Sequence, residues 1–124
     1  MSHAREKGIN VAKFEYLLFC DDDNWLYKDY ISIAFDVMSS DPTIGVLGGC
    51  GILDPEKPTW QEFQKFSRSY VHGSQSWAQL EYWVYGAGAL YRKSILSYLK
   101  KQGWEQITSD RTGKKLLSGG DVEI

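Results

Sequence analysis

The feature that most constrains this fold is a short apolar run, Glu15-Tyr16-Leu17-Leu18-Phe19-Cys20, that breaks off at Asp21-Asp22-Asp23-Asn24. The run shows no polar alternation. Such a pattern marks a strand covered on both faces, as in a parallel sheet with helices on either side. Beyond the acidic loop, Leu26, Tyr30, Ile33, Val37 and Met38 recur at helical spacing, which predicts a helix from Leu26 to Ser40. Asp41-Pro42 ends it. Ile44 to Leu47 is a second short apolar strand, closed by Gly48-Gly49-Cys50-Gly51. Strand, acidic loop, helix and strand in this order make a βαβ unit, so the sheet is expected to be parallel at that point.

The remaining segments alternate in the same way. Ser2 to Lys13 reads as a short helix, and Pro55 and Pro58 make a loop. Trp60, Phe63, Phe66 and Tyr70 fall at helical spacing. Glu81 to Tyr91 reads as a strand containing Gly86 and Gly88, and glycines inside a strand mark close approach by a ligand or another backbone. Ser94 is placed to cap a helix from Ile95 to about Gln102, ended by Gly103. Trp104 to Gly119 looks irregular, and Gly120 to Glu123 opens a further helix.

Composition excludes several classes. Hydrophobic residues are 43% and charged residues 24% of the 124, the balance of a folded chain. A net charge of −2 gives no global pull toward nucleic acid or an anionic membrane. No apolar run approaches the roughly 20 residues of a bilayer crossing. Arg5, Glu6 and Lys7 stand where a signal peptide would be apolar. Cys20 and Cys50 are too few for a disulfide scaffold or a four-ligand zinc site, and are expected as buried thiols in a reducing compartment. His3 and His72 lack partners at metal-ligand spacing, which leaves them surface or structural roles. No nucleophile elbow, phosphate loop or dinucleotide fingerprint is present. Aromatics reach 15%, more than a small core needs, which points to a ligand with flat apolar faces or to a cut interface.

Two carboxylate sites carry the chemistry. Asp21, Asp22 and Asp23 follow a buried strand, at the end where open α/β sheets bind ligands. Like charges this close repel unless something positive is near. Mg2+ or Mn2+ suits them, since such an ion takes one or two carboxylates and completes its shell with water and phosphate oxygens. The alternative is a solvated turn in which one Asp, or Asn24, caps the next helix. Asp121, beside Gly119 and Gly120, is a candidate general base; its alternative is a first-turn helix charge.

These segments, in this order, resemble glycosyltransferase family 2. Ala4-Arg5-Glu6-Lys7-Gly8-Ile9 followed by the strand ending in Asp21-Asp22-Asp23 is similar to that family's A-R-N-x-G-I helix and DXD strand. Tyr85-Gly86-Ala87-Gly88-Ala89-Leu90-Tyr91-Arg92-Lys93 looks like its strand before the acceptor site. Ser118 to Ile124, SGGDVEI, resembles the segment that carries the catalytic base, and Pro58-Thr59-Trp60 to Gln75 looks like a P-x-W to Y-x-x-G-x-Q stretch of some bacterial members.

The resemblance implies an α/β fold of the three-layer GT-A type with a mostly parallel sheet, a nucleotide-sugar donor and a divalent metal. It implies Asp23 as metal ligand, with Asp21 or Asp22 on the ribose or assisting the metal; all three positions are Asp, so either is the first DXD residue. Gly86 and Gly88 match the strand that approaches the donor and acceptor sugars, and Asp121 takes the base position. The aromatics Trp60, Trp77, Tyr82 and Trp83 suit the sugar faces of the acceptor, or else a core or interface. The implied reaction is inverting transfer to the hydroxyl of a carbohydrate or lipid-linked acceptor, in cell-surface polysaccharide or glycolipid synthesis. The expected location is the cytoplasm or the inner face of the membrane. Two departures stand out: Glu6 replaces the usual Asn, and Gly120 replaces a common Glu.

Two other readings compete. One is a non-catalytic nucleotide- or carbohydrate-binding domain. The other is a phosphatase of the haloacid dehalogenase type using Asp21 and Asp23, although Trp25 stands where that pattern wants Thr or Val. Against the resemblance, residues 1–124 are expected to be the central part of one domain, without the first nucleotide-binding strands and the C-terminal part. As a fragment it is expected to be inactive and to self-associate through uncovered faces.

Overall fold

The computed structural model describes residues 3–54, 61, 65, 84–104, 111–112 and 115–116. Helix α1 (His3–Val11) leads into strand β1 (Tyr16–Phe19). Helix α2 (Tyr30–Ser40), strand β2 (Val46–Leu47), strand β3 (Ala89–Arg92) and helix α3 (Lys93–Lys101) follow. A separate two-stranded ladder pairs β4 (Arg111–Thr112) with β5 (Lys115–Leu116).

The main sheet has the order β1-β3-β2, and both pairings are antiparallel. The expected mostly parallel sheet is corrected here. β1 and β2 do run in the same direction, since each opposes β3, and α2 is the crossover between them. They are not neighbours, because β3 inserts between them in the opposite sense. A single intervening strand turns what would be a parallel contact into two antiparallel ones.

The expectation of a two-faced β1 holds. Leu17 and Phe19 pack with Ile9, Ala89, Tyr91 and Leu96 on one face of the sheet. Tyr16 and Leu18 pack with Ala34, Met38 and Leu90 on the other. α1 and α3 thus cover one face and α2 the other, a three-layer α/β/α arrangement. The register agrees with this alternation: Leu17 lies opposite Tyr91 on one side, and Leu18 opposite Leu90 on the other.

Side chains tie the layers together. Arg92, at the end of β3, reaches over β1 to the C-terminus of α2. Its guanidinium donates to the carbonyls of Met38 (2.7 Å), Ile44 (3.1 Å) and Asp41 (3.2 Å), and to the Tyr16 hydroxyl (3.3 Å). A cation suits the carbonyl-rich end of a helix, and the same group lies 5.2 Å from the Tyr16 ring centroid. On the opposite face, Lys100 of α3 pairs with Glu6 of α1 at 3.2 Å.

Several boundaries differ from the sequence expectation. Leu26 to Asp29 precede α2 rather than open it; Leu26 turns toward Gly88 instead of continuing the helical face. β2 is shorter than Ile44 to Leu47, and β3 begins at Ala89 because Gly88 takes φ +84°, outside the range of an extended strand. Ser94 does not cap α3, which starts at Lys93; its hydroxyl and N–H instead donate to the Glu15 carboxylate, which thereby sits at the positive end of the helix. Gly103 does end α3. It takes φ +81°, its N–H donates to Lys100 and the Trp104 N–H to Leu99, the double bond of a Schellman cap. The β4–β5 ladder lies in the stretch expected to be irregular. The helices expected around Trp60 to Tyr70 and from Gly120 lie outside the described residues, apart from the isolated positions 61 and 65.

Candidate active site

The topology brings three chain segments to one edge of the sheet. β1 and β2 end there, and β3 begins there. Their loops, Cys20 to Asp29, Gly48 to Gly51 and Val84 to Gly88, therefore meet. Together they line a shallow cleft of about 70 Å³.

The acidic triplet opens the first loop. Asp21, Asp22 and Asp23 are all exposed. The loop folds back on itself, with the Asn24 N–H donating to the Asp21 carbonyl at 3.3 Å and the Asn24 amide donating to Asp23 Oδ1 at 2.8 Å. The positive charge that such a cluster needs comes from α1. Arg5 Nη2 lies 3.6 Å from Asp21 Oδ1, and its guanidinium sits over the Phe19 ring at 5.8 Å. Phe19 thereby holds the arginine above the last residue of the strand. Asp22 and Asp23 face solvent without a cation in salt-bridge contact among the described residues.

The glycines are explained by close approach. Gly88 donates its N–H to the Phe19 carbonyl at 2.7 Å, which ties the start of β3 to the end of β1. Its φ of +84° suits glycine, and an added Cβ would lie 3.4 Å from Leu26 and 3.5 Å from the Tyr30 hydroxyl. Gly86 accepts from the Ala89 N–H at 3.4 Å and closes the turn before the strand. Gly48 is the tightest: a Cβ there would meet Val84 Cβ at 2.7 Å. At Gly49 it would meet the Tyr30 ring at 3.0 Å.

Tyr30, the first residue of α2, is the post around which the loops gather. Its hydroxyl donates to the Gly88 carbonyl. Burial pushes its phenol above the ordinary value, with the nearby Cys20 adding to the effect. Tyr85, on the opposite wall, is also pushed up, first by burial and then by the negative field of Asp21 and Asp23. The Asp21 and Asp23 carboxylates thus act on one residue of the cleft wall, and Tyr85 keeps its proton at neutral pH.

Oxygen donors suit a hard divalent cation. Among the described residues no group of three or more His, Cys, Asp or Glu side chains stands ready to cage one. A magnesium-type site held by one or two carboxylates and completed by phosphate oxygens does not require such a cage. The donor chemistry of Asp21 and Asp23 fits that kind of site.

The structure brings together Asp21, Asp22, Asp23, Gly86 and Gly88. Asp121, Trp60 and Trp83 lie outside the described residues, as do Trp77, Tyr82 and His72. Both cysteines are exposed, which corrects their expected burial: Cys20 follows the last residue of β1 and Cys50 sits in the glycine loop at the cleft, both beyond the sheet's cover. The partner role of Arg5 and the post role of Tyr30 were not read from sequence. Arg5 was visible only as part of a motif, and Tyr30 only as one more apolar position on a helix. Among the described residues no helix is long and apolar enough to cross a membrane.

The family model described as glycosyl transferase family 2 matches residues 1–99, which includes the acidic loop, both glycine segments and the whole three-stranded sheet. No curated protein and no solved structure matches the chain.

Proposed function

The chain belongs to glycosyl transferase family 2, and from that premise we propose that it transfers a sugar, with inversion, from a nucleotide-diphosphate donor to an acceptor hydroxyl. The observation that carries this reading is the acidic triplet at the end of β1, on the loop whose next residues, Asn24 to Tyr27, line a cleft together with the glycine segments beside β2 and β3. Membership implies nucleotide-sugar chemistry and, typically, a divalent metal.

In this reading Asp23, with Asp21, would hold the metal, which would offset the charge of the departing diphosphate. Arg5 fixes the Asp21 carboxylate, and the Asn24 amide fixes that of Asp23, so neither has to be ordered when the donor arrives. Asp22, free of both constraints, is available to the ribose. Gly86 and Gly88 allow the sugar rings to lie against backbone. Asp121 takes the proton of the acceptor hydroxyl as it attacks the anomeric carbon from the face opposite the leaving group. Charge grows at that carbon through an oxocarbenium-like state. The acceptor is assigned to the carbohydrate or lipid-linked class of cell-surface polysaccharide or glycolipid synthesis, made at the cytoplasmic face of the membrane.

The test is Asp121→Asn in the full-length protein. A positioned general base contributes about 10²–10⁴-fold. Turnover is expected to fall at least about 10²-fold, while binding of UDP with Mn2+, measured by calorimetry, stays unchanged. Equal turnover in the two proteins removes Asp121 from the base position.

A further inference from the structure

We propose that Trp25, with Tyr27 and Tyr85, forms a shelf for an uncharged pyranose ring of the acceptor. This inference rests on the transferase reading above and adds to it the residues and the charge of the acceptor subsite. Three observations carry it.

The first is exposure. Trp25 is 92% exposed and Tyr27 72%, although both line the cleft. A large aromatic ring left in water beside a site offers apolar surface that a flat ligand face can cover. The second is the polarity of the lining. Among the described residues no Lys, Arg, Asp or Glu lines the cleft, while Asn24 and the tyrosines supply hydroxyl and amide groups. A sugar ring presents C–H groups on its faces and hydroxyls at its edge, so flat aromatic surface with a few polar tips is complementary to it. The third is what adjoins the cleft. The carboxylates of Asp21 and Asp23 are close enough to act on the Tyr85 phenol. Among its described lining residues the cleft has no cation, so nothing there is placed to hold a diphosphate or an anionic sugar. The donor is anchored through its diphosphate at the carboxylates. The ring that arrives second, from solvent, meets Trp25.

The shelf is shallow, which fits stacking of one ring face rather than enclosure of a whole ligand. It is also distinct from the aromatics that the sequence offered for this role. Trp60, Trp77, Tyr82 and Trp83 lie outside the described residues.

The experiment uses the full-length chain labelled with ¹⁵N, and reads the tryptophan indole N–H resonances. Methyl β-glucopyranoside, methyl β-galactopyranoside and methyl N-acetyl-β-glucosaminide are added one at a time with UDP and Mn2+ present. At least one glycoside is expected to shift the Trp25 resonance. Trp25→Ala is expected to weaken that glycoside at least about fivefold, the scale of one lost aromatic contact. UDP–Mn2+ affinity should stay within about twofold. Because Trp25 is so exposed, the variant keeps its fold. Phe14→Ala, an 81% exposed ring before β1 at the other end of that strand, serves as the control and should change neither affinity. Glycosides that leave Trp25 unmoved while UDP–Mn2+ binds overturn the shelf and leave the transferase reading standing. If Trp25→Ala weakens UDP-glucose but not UDP, the shelf belongs to the donor sugar and the acceptor assignment falls. Absence of binding by UDP, GDP and dTDP alike with Mn2+ in the wild type overturns the transferase reading, and this one with it.

Discussion

Arg92→Lys is the substitution that best separates architecture from chemistry at this site. Arg92 belongs to the sequence segment that resembles the strand before an acceptor site, so a functional role would be the natural guess. The structure gives its guanidinium to the scaffold instead. Three of its four hydrogen bonds go to backbone carbonyls of the α2 C-terminus and the loop after it, and the fourth to Tyr16. The Met38 carbonyl matters most. It belongs to the last turn of α2, where helical carbonyls lack partners, and Met38 itself is fully buried. A lysine keeps the charge but presents one nitrogen, which cannot reach Met38, Ile44 and Tyr16 together.

The magnitude follows from those contacts. A hydrogen bond to a charged group is worth about 1.5–3 kcal/mol net, and an unsatisfied buried carbonyl costs about 1–3 kcal/mol. Lysine would retain one good bond and lose the others, together with the planar stacking on Tyr16. Arg92 is half-buried, so water refills part of the gap and the terms do not add. About 2–3 kcal/mol is expected, or roughly 6–12 °C in Tm for a domain of this size. Thermal and urea unfolding of the full-length protein, followed by circular dichroism, read it directly. UDP–Mn2+ affinity below the transition should be unchanged. A variant within about 0.5 kcal/mol of wild type, or one that keeps its stability and loses donor binding, refutes the assignment of Arg92 to the scaffold.

Two further outcomes are expected. Gly48→Ala should cost about 1–3 kcal/mol, the range for overpacking, because its Cβ would meet Val84 at 2.7 Å; Gly45→Ala, whose Cβ would meet only Ile95 at an ordinary 3.6 Å, should be close to neutral by the same urea assay. Hydrogen bonds from the Thr43 hydroxyl (2.6 Å) and N–H (2.8 Å), with help from Arg92, hold the Asp41 carboxyl below its ordinary 3.8. A depressed carboxylate stabilises the fold above its unfolded value and loses that contribution as pH falls through its folded one. Wild type should therefore exceed Asp41→Asn in stability at neutral pH, with the gap closing below 3.8. A gap that persists unchanged at about pH 2.5 refutes the linkage.

Local features of the sequence carried over well. The unbroken apolarity of Tyr16 to Phe19 required cover on both faces, and the two packed clusters supply it. Gly103 ended a helix because only its left-handed backbone completes the Schellman cap. The acidic triplet sat where a strand ends. What failed was non-local. Apolar strands joined by a helix imply that β1 and β2 run alike, which they do. Nothing in residues 15–47 reveals that a strand from beyond residue 84 lies between them. The same distance in sequence hid the roles of Arg5, Tyr30 and Arg92, whose partners are defined only after the sheet is assembled. Leu26 misled for a different reason: an apolar residue at a cleft copies the spacing of a helix that has not yet begun.

The inserted antiparallel strand explains why the site forms where it does. In a purely parallel sheet, only strand ends would meet at the carboxyl edge. Here β3 runs the other way, so its beginning, with Gly86 and Gly88, arrives beside the ends of β1 and β2. One edge thus collects an acidic loop, a glycine loop and a glycine turn from segments tens of residues apart. β3 also alternates between layers. Ala89 and Tyr91 face α1 and α3, while Leu90 faces α2 and Arg92 bonds its C-terminus. Any shift of β3 along its neighbours would displace Gly88 from Phe19 and Tyr30 while dragging Arg92 from Met38. Packing at one end of a four-residue strand and loop geometry at the other are consequently fixed together. The register that buries Leu90 and Tyr91 is the register that sets the cleft.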